Sequence, residues 1–236
     1  MKFVITAGPT REFIDPVRFL SNPSTGKMGF ALARAAARRG HAVTLIAGPV
    51  ALKTPKGVAR VDVVSARDML AAVEAALGGR EPEGGVPSAG GAAHGPASGD
   101  TVFVSTAAVA DWRPADCATS KLKKRQMTGV LKLVRNPDIL MTVSGVRKVG
   151  FAAETDDVLA EAARKCREKQ LEMIVANDVT KKGAGFGTDT NRVTFLRKDG
   201  SVERLPLMTK AAVATRIVRE AERMARECGI ISATSL

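Results

Sequence analysis

The feature that most limits how this 236-residue chain can fold is an alternation of two kinds of segment. Short apolar runs at Lys2 to Ala7, Ala42 to Ala47, Thr101 to Ser105, Val149 to Ala153 and Leu171 to Ala176 take turns with longer amphipathic stretches. In Lys27 to Arg39 the residues Met28, Ala31, Leu32, Ala35 and Ala36 recur at helical spacing, and Gly40 follows where a helix end favours glycine. Ala66 to Leu77, Asp156 to Gln170 and Thr209 to Cys228 read as further helices, and Arg60 to Val64 and Val130 to Val134 as further strands. Strands that alternate with helices predict an α/β fold with a mostly parallel sheet and helices on both faces. Asn191 to Leu196 and Ser201 to Leu205 flank Lys198-Asp199-Gly200, which predicts a late antiparallel hairpin at one edge.

Residues 78–99 interrupt this rhythm. They are rich in Gly, Ala, Pro and Ser and nearly free of large apolar side chains, so they predict a mobile surface insertion within a single domain spanning 1–236. After Thr101 to Ser105 the chain predicts a loop through Trp112-Arg113-Pro114. Asn136-Pro137-Asp138 predicts a helix start, with Asn as cap, Pro in the first turn and Asp complementing the dipole.

Composition narrows the function. Hydrophobic residues make up 45% of the chain, enough for one sizeable core. No apolar run approaches the ~20 residues of a membrane span, and Met1 to Gly8 reads as a first strand rather than a signal peptide. Cys117, Cys166 and Cys228 are odd in number and far apart, and His41 and His94 are the only histidines. That pattern favours neither a disulfide framework nor a zinc cluster, and it suits a reducing cytoplasm. The net charge of +12 attracts polyanions. Aromatic residues are 4% of the chain and tyrosine is absent, which leaves few stacking platforms for single-stranded nucleic acid.

Several segments carry candidate chemistry. The loop from Gly8 to Gly29 is rich in glycine and hydroxyl side chains and leads into a helix, an arrangement that can hold phosphate on backbone N–H groups. It is not a Walker A loop, because Met28 follows Gly26-Lys27 where Ser or Thr is needed and Ser21 replaces the first glycine. The spacing of a dinucleotide fingerprint is missing too. Thr106 to Pro114 lies at the carboxyl end of a strand, where open α/β sheets bind ligands. Asp111 there suits a ribose, a base or a metal, or plainly a turn. Lys121-Leu122-Lys123-Lys124-Arg125 reads as a solvated charge run or as an arm over phosphates. Lys165 and Lys169, four apart, share one helix side. Phe151 to Thr155 and Ala176 to Val179 end two further strands at the same edge.

In order, the motifs T-A-G-P-T-R-E-x-I-D-P-V-R-F-x-S-N-x-S-T-G-K-M-G, A-A-V-A-D-W-R-P, K-L-K-K, N-P-D-I-L, G-F-A-A-E-T and V-A-N-D-V run from Val4 towards Leu207. Together they resemble the phosphopantothenoylcysteine synthetase family of coenzyme A biosynthesis. The resemblance implies a Rossmann-like fold, a homodimer and a two-step ligation. The carboxylate of 4′-phosphopantothenate attacks the α-phosphate of a nucleotide, CTP in many bacterial members, and releases pyrophosphate. The cysteine amine then displaces the nucleoside monophosphate, with Mg²⁺ as cofactor. By the same resemblance Asn22 and Lys121 are catalytic, Lys121 being the lysine of a flap. Asn22, Ala107 and Ala108 contact phosphopantothenate. Ser105, Thr106, Ala107, Asp111, Lys121, Pro137, Asp138, Ile139, Leu140, Phe151, Lys165 and Lys169 bind the nucleotide. Trp112 departs from the family's usual Tyr. Many bacterial relatives carry a flavin-dependent decarboxylase ahead of this region; the expectation is a stand-alone form with a separate phosphopantothenoylcysteine decarboxylase as partner, the alternative being that this sequence is a piece of such a longer protein. The lysines supply electrostatic stabilisation where negative charge gathers, and the substrate's own carboxylate is the nucleophile.

Two other function classes fit these residues less well. A nicotinamide-dependent oxidoreductase would need the missing fingerprint or a Tyr-Lys pair, and the chain has no tyrosine. A nucleic-acid-binding module would bind with a steep salt dependence and would want more aromatic residues.

Overall fold

The computed structural model describes residues 1–78, 101–126, 129–154, 158–178, 185 and 187–227. The 78–99 expectation therefore lies, past Gly78, outside the described residues. In chain order the elements are β1 (Lys2–Ala7), β2 (Arg11–Phe13), β3 (Phe19–Ser21), α1 (Lys27–Arg38), β4 (Ala42–Ala47), β5 (Ala59–Asp62) and α2 (Ala66–Leu77). There follow β6 (Thr101–Ser105), β7 (Trp112–Pro114), β8 (Leu133–Arg135), α3 (Ile139–Thr142), β9 (Arg147–Glu154), α4 (Val158–Glu168) and β10 (Met173–Asp178). The chain closes with β11 (Thr190–Asn191), β12 (Val193–Arg197), β13 (Val202–Arg204), β14 (Met208–Thr209) and α5 (Lys210–Glu227).

Eight strands form one sheet in the order β13-β12-β10-β9-β6-β1-β4-β5. From β5 to β10 the neighbours run parallel, and β12 and β13 add the antiparallel edge that the Lys198-Asp199-Gly200 turn predicts. Alternate residues of each strand feed two cores. Phe3, Ile5, Leu45, Val102, Val104, Met173, Val175 and Phe195 pack under α1 and α5. Val4, Ile46, Phe103, Ile174 and Leu196 pack under α2, α3 and α4. Covering both faces explains why these strands read as unbroken apolar runs. Among the described residues no helix is long and apolar enough to cross a membrane.

The chain leaves β1 towards β4 and β5, then returns on the other side of β1 to build β6, β9 and β10. The direction of winding thus reverses between β1 and β6. In open α/β sheets a reversal of this kind places the ligand crevice outside the carboxyl ends of the strands.

The structure corrects several sequence expectations. The polar stretch after β1 contains a hairpin, β2 with β3, held by an edge-on contact of Phe13 and Phe19 at 5.5 Å and by Arg11 over the Phe19 ring at 4.6 Å. Three-residue strands are too short to show periodicity. Trp112-Arg113-Pro114 is a strand paired with Leu133–Arg135, not a loop, and the strand expected from Val130 to Val134 is confined to that short piece. The strand expected at Arg60 to Val64 lies at Ala59–Asp62, and the one expected at Leu171 to Ala176 lies at Met173–Asp178. Asn136 does not cap α3. Its Nδ2 donates to Ala110 O at 2.8 Å and its Oδ1 accepts from Arg113 Nη1 at 3.2 Å, so Asp138 takes the cap and accepts from Met141 N at 3.2 Å.

Candidate functional site

Four backbone segments meet at the crevice. The first is the start of α1. Gly26 caps the helix with φ of 75° and offers no side-chain oxygen to the first-turn amides. Gly29 brings that turn close to the sheet, since an added Cβ would lie 2.4 Å from Ala7 Cβ and 2.6 Å from Thr106 Oγ1. The second segment is the chain beyond β6. Thr106 Oγ1 donates to Thr6 O at 2.6 Å, Ala108 N to Gly8 O at 2.9 Å and Ala110 N to Thr10 Oγ1 at 3.0 Å, which pins this loop along the extended end of β1. The third is Arg135 to Leu140, tied to the second by the Asn136 bonds and by Asn136 N to Asp111 O at 2.8 Å. The fourth is α4 with the residue just after it, Lys169, which pairs with Asp138 at 2.7 Å.

Together they line a cavity of about 650 Å³. It brings together Ser105, Thr106, Ala107, Ala108, Asp111, Pro137, Asp138, Ile139, Leu140, Phe151, Lys165 and Lys169. These come from residues far apart in the chain and share a site only because the strand ends are level. Behind the wall, Lys148 is buried and its Nζ donates to Leu140 O at 2.9 Å and Val143 O at 3.1 Å, holding the carbonyl end of α3. Burial pushes the Lys148 ammonium below its usual pKa, Asp138 opposes that and Lys169 adds to it.

Two of the residues singled out from the sequence do not line this cavity. Asn22 stands exposed at its rim, and its Nδ2 donates to Ala108 O and Val109 O, both at 3.1 Å. Lys121 lies on a separate basic arm, in a shallow cavity with Arg18, Leu122, Lys123 and Lys124. The root of that arm is fixed. Asp15, with no exposed surface, is chelated by Arg18 and accepts from Val17 N and Arg18 N at 2.9 Å and from Leu122 N at 3.2 Å. Arg18 Nη2 also donates to Leu122 O at 2.9 Å, and Ala118 N to Ile14 O at 3.0 Å. The Arg18 guanidinium holds the Asp15 carboxyl well below the usual carboxylate range; burial opposes this and the backbone bonds reinforce it.

The cavity also takes in residues that sequence reasoning did not place: Lys27, Arg135, Asn177, Asn191 and Lys210. Lys27 and Asn177 stood inside quoted motifs without a role. Asn191 and Lys210 gave no signal, because one reads as a strand residue and the other as the start of an amphipathic helix. Five cationic side chains, Lys27, Arg135, Lys165, Lys169 and Lys210, line the cavity against two carboxylates, Asp111 and Asp138. Such a lining selects polyanions. Among the described residues no group of three or more His, Cys, Asp or Glu side chains could hold a metal by itself.

Comparison with known proteins gives a consistent result. The family model of the DNA/pantothenate metabolism flavoprotein C-terminal domain matches residues 1–81 and 91–224. The chain is 44% identical over 231 residues to the coenzyme A biosynthesis bifunctional protein CoaBC of Bacillus subtilis (strain 168), covering 96% of this chain and 52% of that protein. Against the protein of the same name from Escherichia coli (strain K12) the identity is 42% over 228 residues, covering 93% of this chain and 51% of that protein. The chain thus spans about half the length of these relatives. The crystal structure of the C-terminal domain of a coenzyme A biosynthesis bifunctional protein CoaBC superposes with a TM-score of 0.74 at 40% identity, covering 96% of both chains.

Proposed function

The chain belongs to the family of the DNA/pantothenate metabolism flavoprotein C-terminal domain, and from that premise we propose that it is a phosphopantothenate–cysteine ligase of coenzyme A biosynthesis. The observation that carries this reading is the convergence of twelve family-type positions on one basic cavity at the point where the sheet reverses its winding. The relatives' names, which place them in coenzyme A biosynthesis, support the same pathway.

In this reading the nucleotide lies against Pro137 to Leu140 and Phe151, with Lys165 and Lys169 near its polar edge. The α-phosphate sits above Ser105 to Ala107, where small residues let it approach the backbone. Phosphopantothenate enters over Ala107 and Ala108 beside Asn22. A carboxylate oxygen of phosphopantothenate bonds to the α-phosphorus, the bond to the bridging oxygen breaks, and its electron pair leaves with pyrophosphate. The cysteine amine then bonds to the acyl carbon, loses a proton and expels the nucleoside monophosphate. Lys121 neutralises charge in the first step, which calls for its arm to fold from the Asp15 root towards the cavity. Asn22 orients the acyl end for the second.

Magnesium fits the lining. Mg²⁺ is held by one or two carboxylates together with substrate phosphates, and Asp111 is the cavity carboxylate that forms no ion pair among the described residues, whereas Asp138 pairs with Lys169. When bound, the ion would offset negative charge on the phosphates. The family resemblance supports CTP as the nucleotide and a cytoplasmic homodimer.

The test is direct. The protein is incubated with 4′-phosphopantothenate, cysteine, Mg²⁺ and either CTP or ATP, and pyrophosphate is measured. Release that requires phosphopantothenate and Mg²⁺, and is faster with CTP, is the expected result. Equal or faster release with ATP overturns the nucleotide choice, and no release with either overturns the reaction.

A further inference from the structure

Lys148 does not line the cavity, yet it carries an ammonium into the interior behind the Pro137–Leu140 wall, where it is 6% exposed. Its cross-strand partner on β6 is the fully buried Phe103. Burying a charge among apolar side chains is costly unless hydrogen bonds answer it, and a methionine would fill the same place without that penalty. What the ammonium adds is two buried hydrogen bonds, to Leu140 O at 2.9 Å and to Val143 O at 3.1 Å.

Those two bonds matter because α3 is only four residues long. A helix this short does not sustain itself, since its nucleus fixes several residues for each bond gained. Its own bonds are Thr142 N to Asp138 O at 3.0 Å and Val143 N to Ile139 O at 3.1 Å. The amino end is tethered by Asp138, which accepts from Met141 N at 3.2 Å and pairs with Lys169 at 2.7 Å. Past Ile139 the carbonyls have no amide ahead of them in the helix. Leu140 and Val143 are themselves buried, and Lys148 meets their carbonyls from below. A cation at a helix carboxyl end also complements the helix dipole. Gly150 completes the fit, because a Cβ there would lie 2.6 Å from Leu171 Cδ1 and 3.4 Å from Leu140 Cδ1. Within four residues β9 thus supplies a strut at Lys148, a gap at Gly150 and a lining residue of the cavity at Phe151.

We propose that Lys148 is a positioning residue for nucleotide binding: it holds the Pro137–Leu140 wall in its binding shape before the nucleotide arrives, and so sets nucleotide affinity without touching the nucleotide. The proposal rests on the reading that the nucleotide lies against this wall. A wall ordered beforehand spares binding the cost of ordering it. Where only about one molecule in ten has the competent wall, apparent affinity falls about tenfold.

The test is calorimetric titration of the full chain with CTP and with CMP, in the presence of Mg²⁺, comparing the wild type with Lys148→Met. Methionine keeps an unbranched stem in the core and removes both bonds. Affinity for CTP and for CMP should fall together by roughly tenfold, and the KM for CTP should rise by the same factor. The kcat at saturating CTP and the KM values for phosphopantothenate and cysteine should stay within about twofold, as expected when only nucleotide binding is altered. A measurement on the wild type covers the case of a variant that does not fold. Hydrogen exchange should find the Met141, Thr142 and Val143 amides protected in the nucleotide-free protein. Four results overturn the proposal. The first is unchanged CTP affinity in folded Lys148→Met. The second is a change in kcat, or in the KM for phosphopantothenate or cysteine, as large as that in the KM for CTP, which would make Lys148 a general prop of the fold. The third is a set of wall amides that exchange freely until CTP is added. The fourth is a wild type that binds neither CTP nor CMP, which leaves the wall nothing to receive. A wild type that binds CTP, with the expected loss in Lys148→Met, but forms no ligated product would sink the ligase reading and leave this role standing.

Discussion

The two ends of the central sheet use similar charged residues to opposite effect. At the amino ends of the strands, Arg39 Nε and Nη2 donate to Glu222 Oε1 and Oε2 at 2.7 Å each, and His41 Nε2 lies 2.7 Å from Glu222 Oε1. The His41 ring also packs on Phe3 with centroids 5.1 Å apart. Each of these three side chains has an answering group, and the set clamps α1 to α5. At the carboxyl ends, lysines outnumber carboxylates and two amide oxygens have no partner among the described residues. A satisfied cluster stabilises the fold, whereas buried amide oxygens left without a partner are held in place by the rest of the fold and stay available to a ligand. The difference between stability and function here is thus one of partners, not of residue type.

The largest expected effect falls at the carboxyl end. Lys121→Gln should slow formation of the acyl-nucleotidyl intermediate by roughly 10²–10³-fold, the loss typical of one transition-state electrostatic contact, with no change in thermal stability. Asn22→Asp should form the intermediate but fail to pass it to cysteine, so that it accumulates. The structure adds a reason: the substitution replaces a donor to Ala108 O and Val109 O with a carboxylate facing two carbonyls. Rapid quench and mass spectrometry, with and without cysteine, read both. A normal rate of intermediate formation in Lys121→Gln, or normal turnover in Asn22→Asp, would remove these roles.

At the amino end the effect should reverse. Glu222→Ala strands Arg39 and should destabilise the protein by about 2 kcal/mol, below the ~3–5 of a fully buried pair because the Arg39 side chain is 35% exposed. Activity at permissive temperature should remain. Urea denaturation together with the pyrophosphate assay checks this, and a variant with lost turnover and unchanged stability would erase the contrast between the ends.

Acid should act on the same clamp in a known direction. Burial alone would raise the Glu222 pKa, but the bonds from Arg39 and His41 outweigh it and the value falls below the ordinary 4.5. A lowered carboxylate pKa stabilises the fold in full above its unfolded value, and that contribution fades as pH falls through the folded value. Asp15 is lowered too, with the same sign and further into acid. The urea midpoint of the wild type should therefore decline below about pH 4.5, and Glu222→Ala should decline less. Equal slopes would show that Glu222 is not a source of the acid sensitivity.

The smallest effect belongs to residues 78–99. Their sequence contains almost nothing that could be buried, so a short Gly/Ser linker in their place should leave Tm nearly unchanged. A fall of many degrees would add a third stabilising region to the comparison.

Most of the architecture was legible in the chain because its elements are long and regular. The bounds of Lys2–Ala7, Ala42–Ala47, Ala66–Leu77 and Thr101–Ser105 follow from apolar runs and helical spacing that span the whole element. The hairpin of Arg11–Phe13 with Phe19–Ser21 did not, since its stability comes from ring contacts and the buried turn at Asp15 rather than from a pattern. The cap of α3 was misread because Asn136 is recruited by Ala110 and Arg113, and neither is near in sequence.

What the sequence determined by itself was the set of local preferences: which runs become strands, which face of each helix is apolar, and that several glycine-rich or polar segments end strands. Those depend on neighbours a few residues away. The order of the strands, the reversal between β1 and β6, the displacement of Lys121 onto its own arm, and the meeting of Lys27 with Asp189 and of Lys210 and Asn191 in one cavity were decided only by tertiary structure. Lys27 and Lys210 lie at opposite ends of the chain, and each is an unremarked first residue of a helix. They share a corner because α1 and α5 pack side by side on one face of the sheet, a long-range consequence of burying both apolar stripes against the same strands.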